Sequence, residues 1–158
     1  MTNCKKIINQ LETAGANIHV KQADISKQDD IIRIIPPSLK LRGIIHAAGI
    51  LDDGVLMQQN WERFEKVLTP KIQGAWNLHL ATQNYSLDFF VLFSSAASLI
   101  GSAGQANYCA ANAFLDAFAH YRQGLGLPAL SINWGAWSNV GMAAKLEQKQ
   151  MRSRQNKD

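Results

Sequence analysis

Cysteine is scarce: Cys4 and Cys109 are the only two in 158 residues. Two lone thiols so far apart make no disulfide framework and point to a reducing, cytoplasmic setting. Long apolar runs are missing as well. Stretches such as Phe89–Phe93 fall far short of the ~20 residues a membrane-spanning helix needs, so no membrane association is expected. The start, Met-Thr-Asn-Cys-Lys-Lys, has no apolar run behind it, and no secretory leader is expected. His19, His79 and His120 show no ligand spacing, and no metal is expected. Aromatic residues are only 8% and do not interleave with basic ones, which argues against a single-strand nucleic-acid binder. The net charge of +4 does not change this. Residues 145–158 hold five basic residues against two acidic ones, +3 of the total, and a short basic tail reads as a solvated face or linker. No internal repeat or low-complexity segment is present.

What is there is an ordinary globular composition, 47% apolar and 18% charged, at the length of about one domain. The apolar pattern alternates in type. Residues 4–14 read as an amphipathic helix with Ile7, Ile8 and Leu11 on one face, closed by Gly15. Residues 17–23 read as a strand. A short helix around Ile31–Ile35 is stopped by Pro36-Pro37. Residues 42–46 read as a strand, followed by the small-residue turn Ala47-Ala48-Gly49. The longest helical pattern covers 61–83. Residues 88–93 form a strand ending in Ser94-Ser95, residues 106–123 a helix closed by Gly124, and residues 129–133 a strand leading into Trp134-Gly135. This rhythm predicts a parallel sheet wrapped by helices, with strands buried on both sides. Ligands bind such sheets at the carboxyl ends of the strands. His46–Gly49, Ser94-Ser95 and Asn133–Gly135 all fall there.

Tyr108 starts a helix, and Asn112 lies four residues on, so phenol and amide share a face. A phenol holds its proton tightly at neutral pH, and a nearby ammonium loosens it. Lys71, on the long preceding helix, is the candidate. Ser95, at a strand end, could hold a substrate carbonyl. Together they would supply an acid, an electrostatic tuner and an oxyanion-type donor. On spacing alone the set stays open: Tyr-x-x-x-Asn arises by chance, and Lys71 could be a plain surface lysine. The interval from Ser95 to Tyr108 is more specific, since Gly101 and Gly104 punctuate a loop that delivers the tyrosine to a helix start.

The run from Phe93 through Ser-Ser-Ala-Ala-Ser-Leu-Ile-Gly-Ser-Ala-Gly-Gln-Ala-Asn-Tyr-Cys-Ala-Ala-Asn-Ala-Phe-Leu-Asp116 closely resembles the ketoreductase domains of modular polyketide synthases, members of the short-chain dehydrogenase/reductase superfamily. Three further runs resemble the same family: His46-Ala-Ala-Gly-Ile-Leu-Asp-Asp-Gly54, Pro70-Lys-Ile-Gln-Gly-Ala-Trp-Asn-Leu-His79 and Leu127-Pro-Ala-Leu-Ser-Ile-Asn-Trp-Gly-Ala-Trp137. The resemblance implies Tyr108 as proton donor, Ser95 as carbonyl-polarising hydroxyl, and Lys71 and Asn112 as the other two members of the catalytic set. Most short-chain reductases carry the lysine four residues after the tyrosine. Asn112 stands there in this chain, and Lys71 comes from the preceding helix. The resemblance further implies NADPH as cofactor, met by Asp24 at the adenine, by His46, Ala47, Ala48 and Gly49, by Lys71 and Tyr108, and by Trp134 and Gly135 near the nicotinamide. The implied substrate is a β-ketoacyl thioester on an acyl carrier protein, and the implied partner is the rest of the synthase. Gly141 and Met142 resemble the start of the substrate lid.

Leu51-Asp52-Asp53 resembles the motif of B-type ketoreductases, which implies substrate and stereochemical control there and a D-configured hydroxyl. Ile100 stands where A-type domains carry tryptophan. Ala110 stands where epimerising B-type domains often carry proline, so no α-epimerisation is implied. The fold implied is a Rossmann-like doubly wound parallel sheet, incomplete, with the first strands and the glycine-rich turn absent. No Gly-x-Gly-x-x-Gly motif, the pyrophosphate cradle of such folds, occurs in the chain. Residues 1–144 are therefore expected to be a partial ketoreductase domain and 145–158 a basic tail in the lid region. The isolated chain is expected to bind NADPH poorly. A rival reading is a catalytically silent structural or interaction fragment of such a synthase. A third is a free-standing reductase of small ketones. His46, Asp52, Asp53 and Cys109 also admit blander roles, as a packing residue, a loop pair and an unreactive thiol.

Overall fold

An apolar strand followed by a long helix with one apolar face folds back on a parallel neighbour, and this chain does so twice. The structure, a computed structural model, describes residues 2–136. Trp137, Gly141, Met142 and the 145–158 tail lie outside the described residues. Helix α1 spans Thr2–Thr13 and α2 spans Gln28–Ile34. Strand β1 (Gly43–His46) leads through a short 3-10 turn at Leu56–Gln58 into α3 (Trp61–Thr82). Asn60 caps α3, its side chain accepting from the Arg63 N–H at 3.0 Å. Strand β2 (Phe89–Ser95), the short α4 (Ala97–Ile100), α5 (Ala106–Gly124) and β3 (Leu130–Trp134) complete the order.

The three strands are parallel and lie in the order β1-β2-β3. Gly43 pairs with Phe89 and His46 with Leu92; Leu92 pairs with Ser131 and Ser95 with Trp134. Because the strands run the same way, His46, Ser95 and Trp134 all come to the carboxyl edge. Ile44, Phe90 and Leu92 face Ala75 and Leu78 of α3 and Leu115, Phe118 and Ala119 of α5, and Ile31 of α2 joins the same core. Both crossovers therefore lie on one face. Sequential strand order with helices on one side is one half of a doubly wound sheet.

Two expectations need correction. Residues 17–23 form no strand. A strand exists by pairing, and the described sheet consists of β1, β2 and β3 alone. The strands are also not buried on both sides. Ile45 is 61% exposed, and Phe89 and Leu130 are exposed on the same open face, because α3 and α5 cover only the other one.

The tryptophans divide. Trp76 packs beside His79, Phe118 and Tyr121, and Trp134 beside Phe93, whereas Trp61 is largely exposed. His79 lies on α3. It is buried between α3 and α5, where its Nδ1 lies 2.7 Å from the Arg122 guanidinium. Arg122 is wholly buried, its guanidinium 3.8 Å from the Phe90 ring centroid and within 3.3 Å of the Pro128 carbonyl. A buried cation with an aromatic face and a carbonyl is held by geometry that no smaller side chain reproduces. Arg122→Ala is expected to cost about 3 kcal/mol by leaving a cavity and an orphaned imidazole. Arg122→Met, which keeps the stem, is expected to cost less. Chemical denaturation of the two variants checks the order.

Candidate active site

The carboxyl edge gathers side chains from three directions. Lys71 points from the middle of α3, Tyr108 and Asn112 stand on the first turns of α5, and Ser95 ends β2. Lys71 is 3% exposed. Its Nζ donates to the Phe93 carbonyl at 2.9 Å and lies over the Tyr108 ring, 5.6 Å from the centroid. Burial lowers the Lys71 pKa to about 8, opposed in part by the Asp116 carboxylate. An ammonium has three hydrogens, so two remain for other acceptors. This lysine is buried and not a surface residue.

Asn112 is fully buried, and its Nδ2 donates to the Tyr108 carbonyl one turn back at 2.8 Å. Its Oδ1 has no partner. Ser95 Oγ accepts from the Ala97 N–H at 3.2 Å, which leaves the hydroxyl hydrogen to donate elsewhere. The loop between Ser95 and Tyr108 turns at Gly101 and Gly104, both with φ near +75° (75° and 76°), a conformation that disfavours a side chain.

The residues expected at the cofactor occupy the same edge in part. His46 is buried at the end of β1 and packs near Gly74 of α3, with Ala47, Ala48 and Gly49 following in the loop. Burial, then the Lys71 ammonium, lowers the His46 pKa to about 4, and its Nε2 has no partner. Trp134 ends β3 and its carbonyl accepts from the Ala96 N–H at 2.9 Å; Gly135 follows, exposed. Asp24 is exposed ahead of α2, where the hydroxyl and N–H of Ser26 hold its carboxyl below the usual range.

Leu51 is half-buried. Asp52 has both carboxylate oxygens engaged, by Arg63 at 2.6 Å and Lys66 at 2.9 Å, and these two partners lower its pKa. Asp53 is exposed and accepts from Gln105 Nε2 at 3.0 Å. The Asp52-Asp53 pair is thus a fixed loop, tied to α3 and to the start of α5.

Sequence reasoning missed a second polar cluster. Asp116, one turn beyond Asn112, accepts from Ser98 (2.6 Å), Ser131 (2.5 Å) and Asn133 (2.8 Å). Burial pushes its pKa up, but hydrogen bonds from Ser131, Ser98, Ser94 and Asn133 outweigh that, and the net shift is downward. Ser98 Oγ also lies 2.8 Å from the Ser95 carbonyl, so the cluster braces the turn that carries Ser95. The spacing Tyr108, Asn112, Asp116 on one helix face was the available signal.

The buried His46 carries an acid-stability prediction. Its folded pKa of about 4 lies below the unfolded value of 6.5. Between these values the unfolded chain binds a proton that the folded chain does not, so this contribution is intact above pH 6.5 and is lost as pH falls toward 4. The loss is expected to be about 3 kcal/mol. His79, lowered by burial and then by Arg122, adds a limb of the same sign. His46→Gln is expected to flatten part of the profile, as read by denaturant midpoints from pH 7 to 4.

A nicotinamide cofactor finds suitable groups at this edge. The two free hydrogens of Lys71 and the unpartnered Asn112 Oδ1 and His46 Nε2 are polar groups without a full set of protein partners. Of these, the Lys71 ammonium hydrogens suit the hydroxyl-rich ribose end of a dinucleotide, whereas Asn112 Oδ1 and His46 Nε2 are buried and present no surface to it. No Gly-x-Gly-x-x-Gly motif occurs in the sequence.

The KR domain family model matches residues 2–139. Polyketide synthase GfsB of Streptomyces halstedii is 44% identical over 149 residues, 92% of this chain and 3% of that protein. A mycocerosic acid synthase-like polyketide synthase of Mycolicibacterium smegmatis is 44% identical over 149 residues, 89% of this chain and 7% of that protein. Among solved structures, an A1-type ketoreductase superposes with a TM-score of 0.88 at 33% identity, covering 98% of this chain and 33% of that one. The first ketoreductase of the tylosin polyketide synthase superposes with a TM-score of 0.84 at 38% identity, covering 90% and 32%. This chain therefore spans about a third of those solved chains and a few per cent of the synthases. It belongs to the ketoreductase (KR) domain family of polyketide synthases.

Proposed function

We propose that this chain carries the substrate-reducing half of an NADPH-dependent ketoreductase that converts a β-ketoacyl thioester into a β-hydroxyacyl thioester. The observation that carries the reading is Lys71: a buried ammonium over the Tyr108 ring, anchored to the Phe93 carbonyl at the carboxyl edge of a parallel sheet. NADPH, when bound, supplies the hydride to the β-carbon. Ser95 donates its hydroxyl hydrogen to the carbonyl oxygen and polarises it. Tyr108 gives its phenolic proton to the same oxygen as negative charge develops there, and Lys71 stabilises the phenolate left behind. Asn112 holds the first turn of α5 through the Tyr108 carbonyl. Hydride and proton together convert the ketone to an alcohol.

The substrate is carried by an acyl carrier protein, and the rest of a synthase polypeptide supplies the pyrophosphate-binding turn. Residues 1–144 are proposed as the partial ketoreductase unit; Gly141, Met142 and the 145–158 tail resemble the lid region by sequence alone and lie outside the described residues. The setting is cytoplasmic. No helix among the described residues is long and apolar enough to cross a membrane.

The stereochemical course is B-type. Leu51-Asp52-Asp53 and the absence of tryptophan at Ile100 support it, although two similar solved structures are described as A-type. Overall superposition reports the shared fold, while the stereochemical type rests on these local positions. The test is reduction of a carrier-bound β-ketoacyl thioester by the synthase polypeptide bearing this chain, followed by chiral chromatography. A D-hydroxyl product without α-epimerisation is expected. An L-hydroxyl would overturn the B-type assignment, and no reduction would overturn the reductase reading in favour of a silent structural fragment.

A further inference from the structure

The first N–H groups of a helix have no acceptor within it. At the start of α5 the N-cap residue, Gln105, makes no side-chain cap bond. The acceptor comes from inside the helix. Asn107 is 0% exposed, and its Oδ1 accepts the Tyr108 N–H at 2.8 Å. The same side chain donates from Nδ2 to the Asp52 carbonyl at 2.9 Å and to the Arg63 carbonyl at 3.2 Å. A buried amide is costly unless its hydrogens are placed, and here both are.

One side chain thus joins three elements: the loop after β1, the first turn of α3 and the backbone of Tyr108. The loop is itself held. Arg63 and Lys66 fix the Asp52 carboxylate, Gln105 reaches Asp53, and the Gly54 N–H donates to the Gly104 carbonyl at 2.8 Å. Gly104, with φ +76°, turns the chain into α5. Arg63 lies on the same helix as Lys71, eight residues earlier. Asn107 therefore ties the helix that carries the tyrosine to the helix that carries the lysine, at the end where the two must meet.

We propose that Asn107 is a positioning residue for the reaction: it sets the register of α5 against α3 and the 52–54 loop, so that Tyr108 stands under Lys71. The inference rests on the reductase reading above. A displacement of about 1 Å in a reacting group can cost on the order of 100-fold in rate. Aspartate at this position would keep the acceptor for the Tyr108 N–H and lose both donors, turning lone pairs toward the Asp52 and Arg63 carbonyls.

The test uses the synthase polypeptide bearing this chain, with Asn107→Asp and Asn107→Ser, the latter keeping one donor. Steady-state reduction, NADPH fluorescence titration and the solvent deuterium isotope effect on kcat are measured. For Asn107→Asp, kcat is expected to fall by roughly 10- to 100-fold, with NADPH affinity and thioester KM within about twofold of wild type. The solvent isotope effect is expected to rise, because proton delivery becomes slower. Asn107→Ser is expected to show a smaller change in the same direction, and decides the matter if the aspartate variant does not fold. Wild-type kcat in both variants would overturn the proposal. So would a loss of rate matched by an equal loss of NADPH-binding protein, with the isotope effect unchanged. A wild-type protein that reduces nothing would overturn the reductase reading and this inference with it, which separates the two failures.

Discussion

Tyr108→Phe is expected to lower the rate of β-ketoacyl reduction by about 100- to 10,000-fold, the range associated with loss of a general acid. The substitution removes one oxygen and keeps the ring that lies beneath Lys71 at 5.6 Å. Packing of α5 against α3 should therefore survive, since it rests on Ala111, Leu115, Phe118 and Ala119 and not on the phenol. NADPH affinity is expected to change by no more than about threefold, because the ring and its backbone remain in place. Single-turnover rates with NADPH fluorescence as a binding control separate the two quantities. A rate within about tenfold of wild type would remove Tyr108 from the role of proton donor.

The second large effect concerns Lys71 and pH. Burial lowers its pKa to about 8, so its ammonium is present below that pH and is lost as pH rises through it. The rate of reduction is expected to fall along that limb, since a neutral amine no longer stabilises a developing phenolate. Asp116 acts against the lowering. Asp116→Asn, which removes that charge, is expected to move the limb to lower pH. Lys71→Met fills similar volume without charge and is expected to lose roughly 100-fold or more in rate at pH 7, with the limb near pH 8 abolished. A pH–rate profile of wild type and both variants checks all three statements. An unchanged limb in Lys71→Met would show that the titrating group is another one.

Much of the fold was legible because helices and strands announce themselves locally. The 3.6-residue apolar period of residues 61–83 becomes α3, ending one residue earlier, and the apolar run after Asp88 becomes β2. Pairing is not local, and this explains the miss at residues 17–23: their composition suits a strand, but a ladder needs a neighbour. The one-sided burial of the sheet was hidden for a related reason. A run such as Phe-Phe-Val-Leu-Phe reads the same whether one face is covered or both, and only the placement of α3 and α5 shows which.

In the site, Tyr108 and Asn112 were readable as an i, i+4 pair, and the Lys71–Tyr108 approach followed from the motif resemblance. The polar residues that hold them in place were not. Asn107 reaches partners 44 and 55 positions away, and His79 meets Arg122 across 43 positions. No spacing rule spans such distances. What the sequence offered was a polar side chain beside Tyr108 and a carboxylate on its helix face, and only packing against α3, β2 and β3 assigns them partners.

We propose that the Lys71–Tyr108 edge serves hydride and proton delivery to a β-keto group. Its most direct test is isotope tracing with the synthase polypeptide bearing this chain, a carrier-bound β-ketoacyl thioester and NADPH deuterated at the transferable C4 position. The wild-type protein is expected to form a β-hydroxyacyl thioester with one deuterium on the β-carbon, and Tyr108→Phe almost none in the same time. A wild-type product without deuterium, or equal labelled product from both proteins, would contradict it.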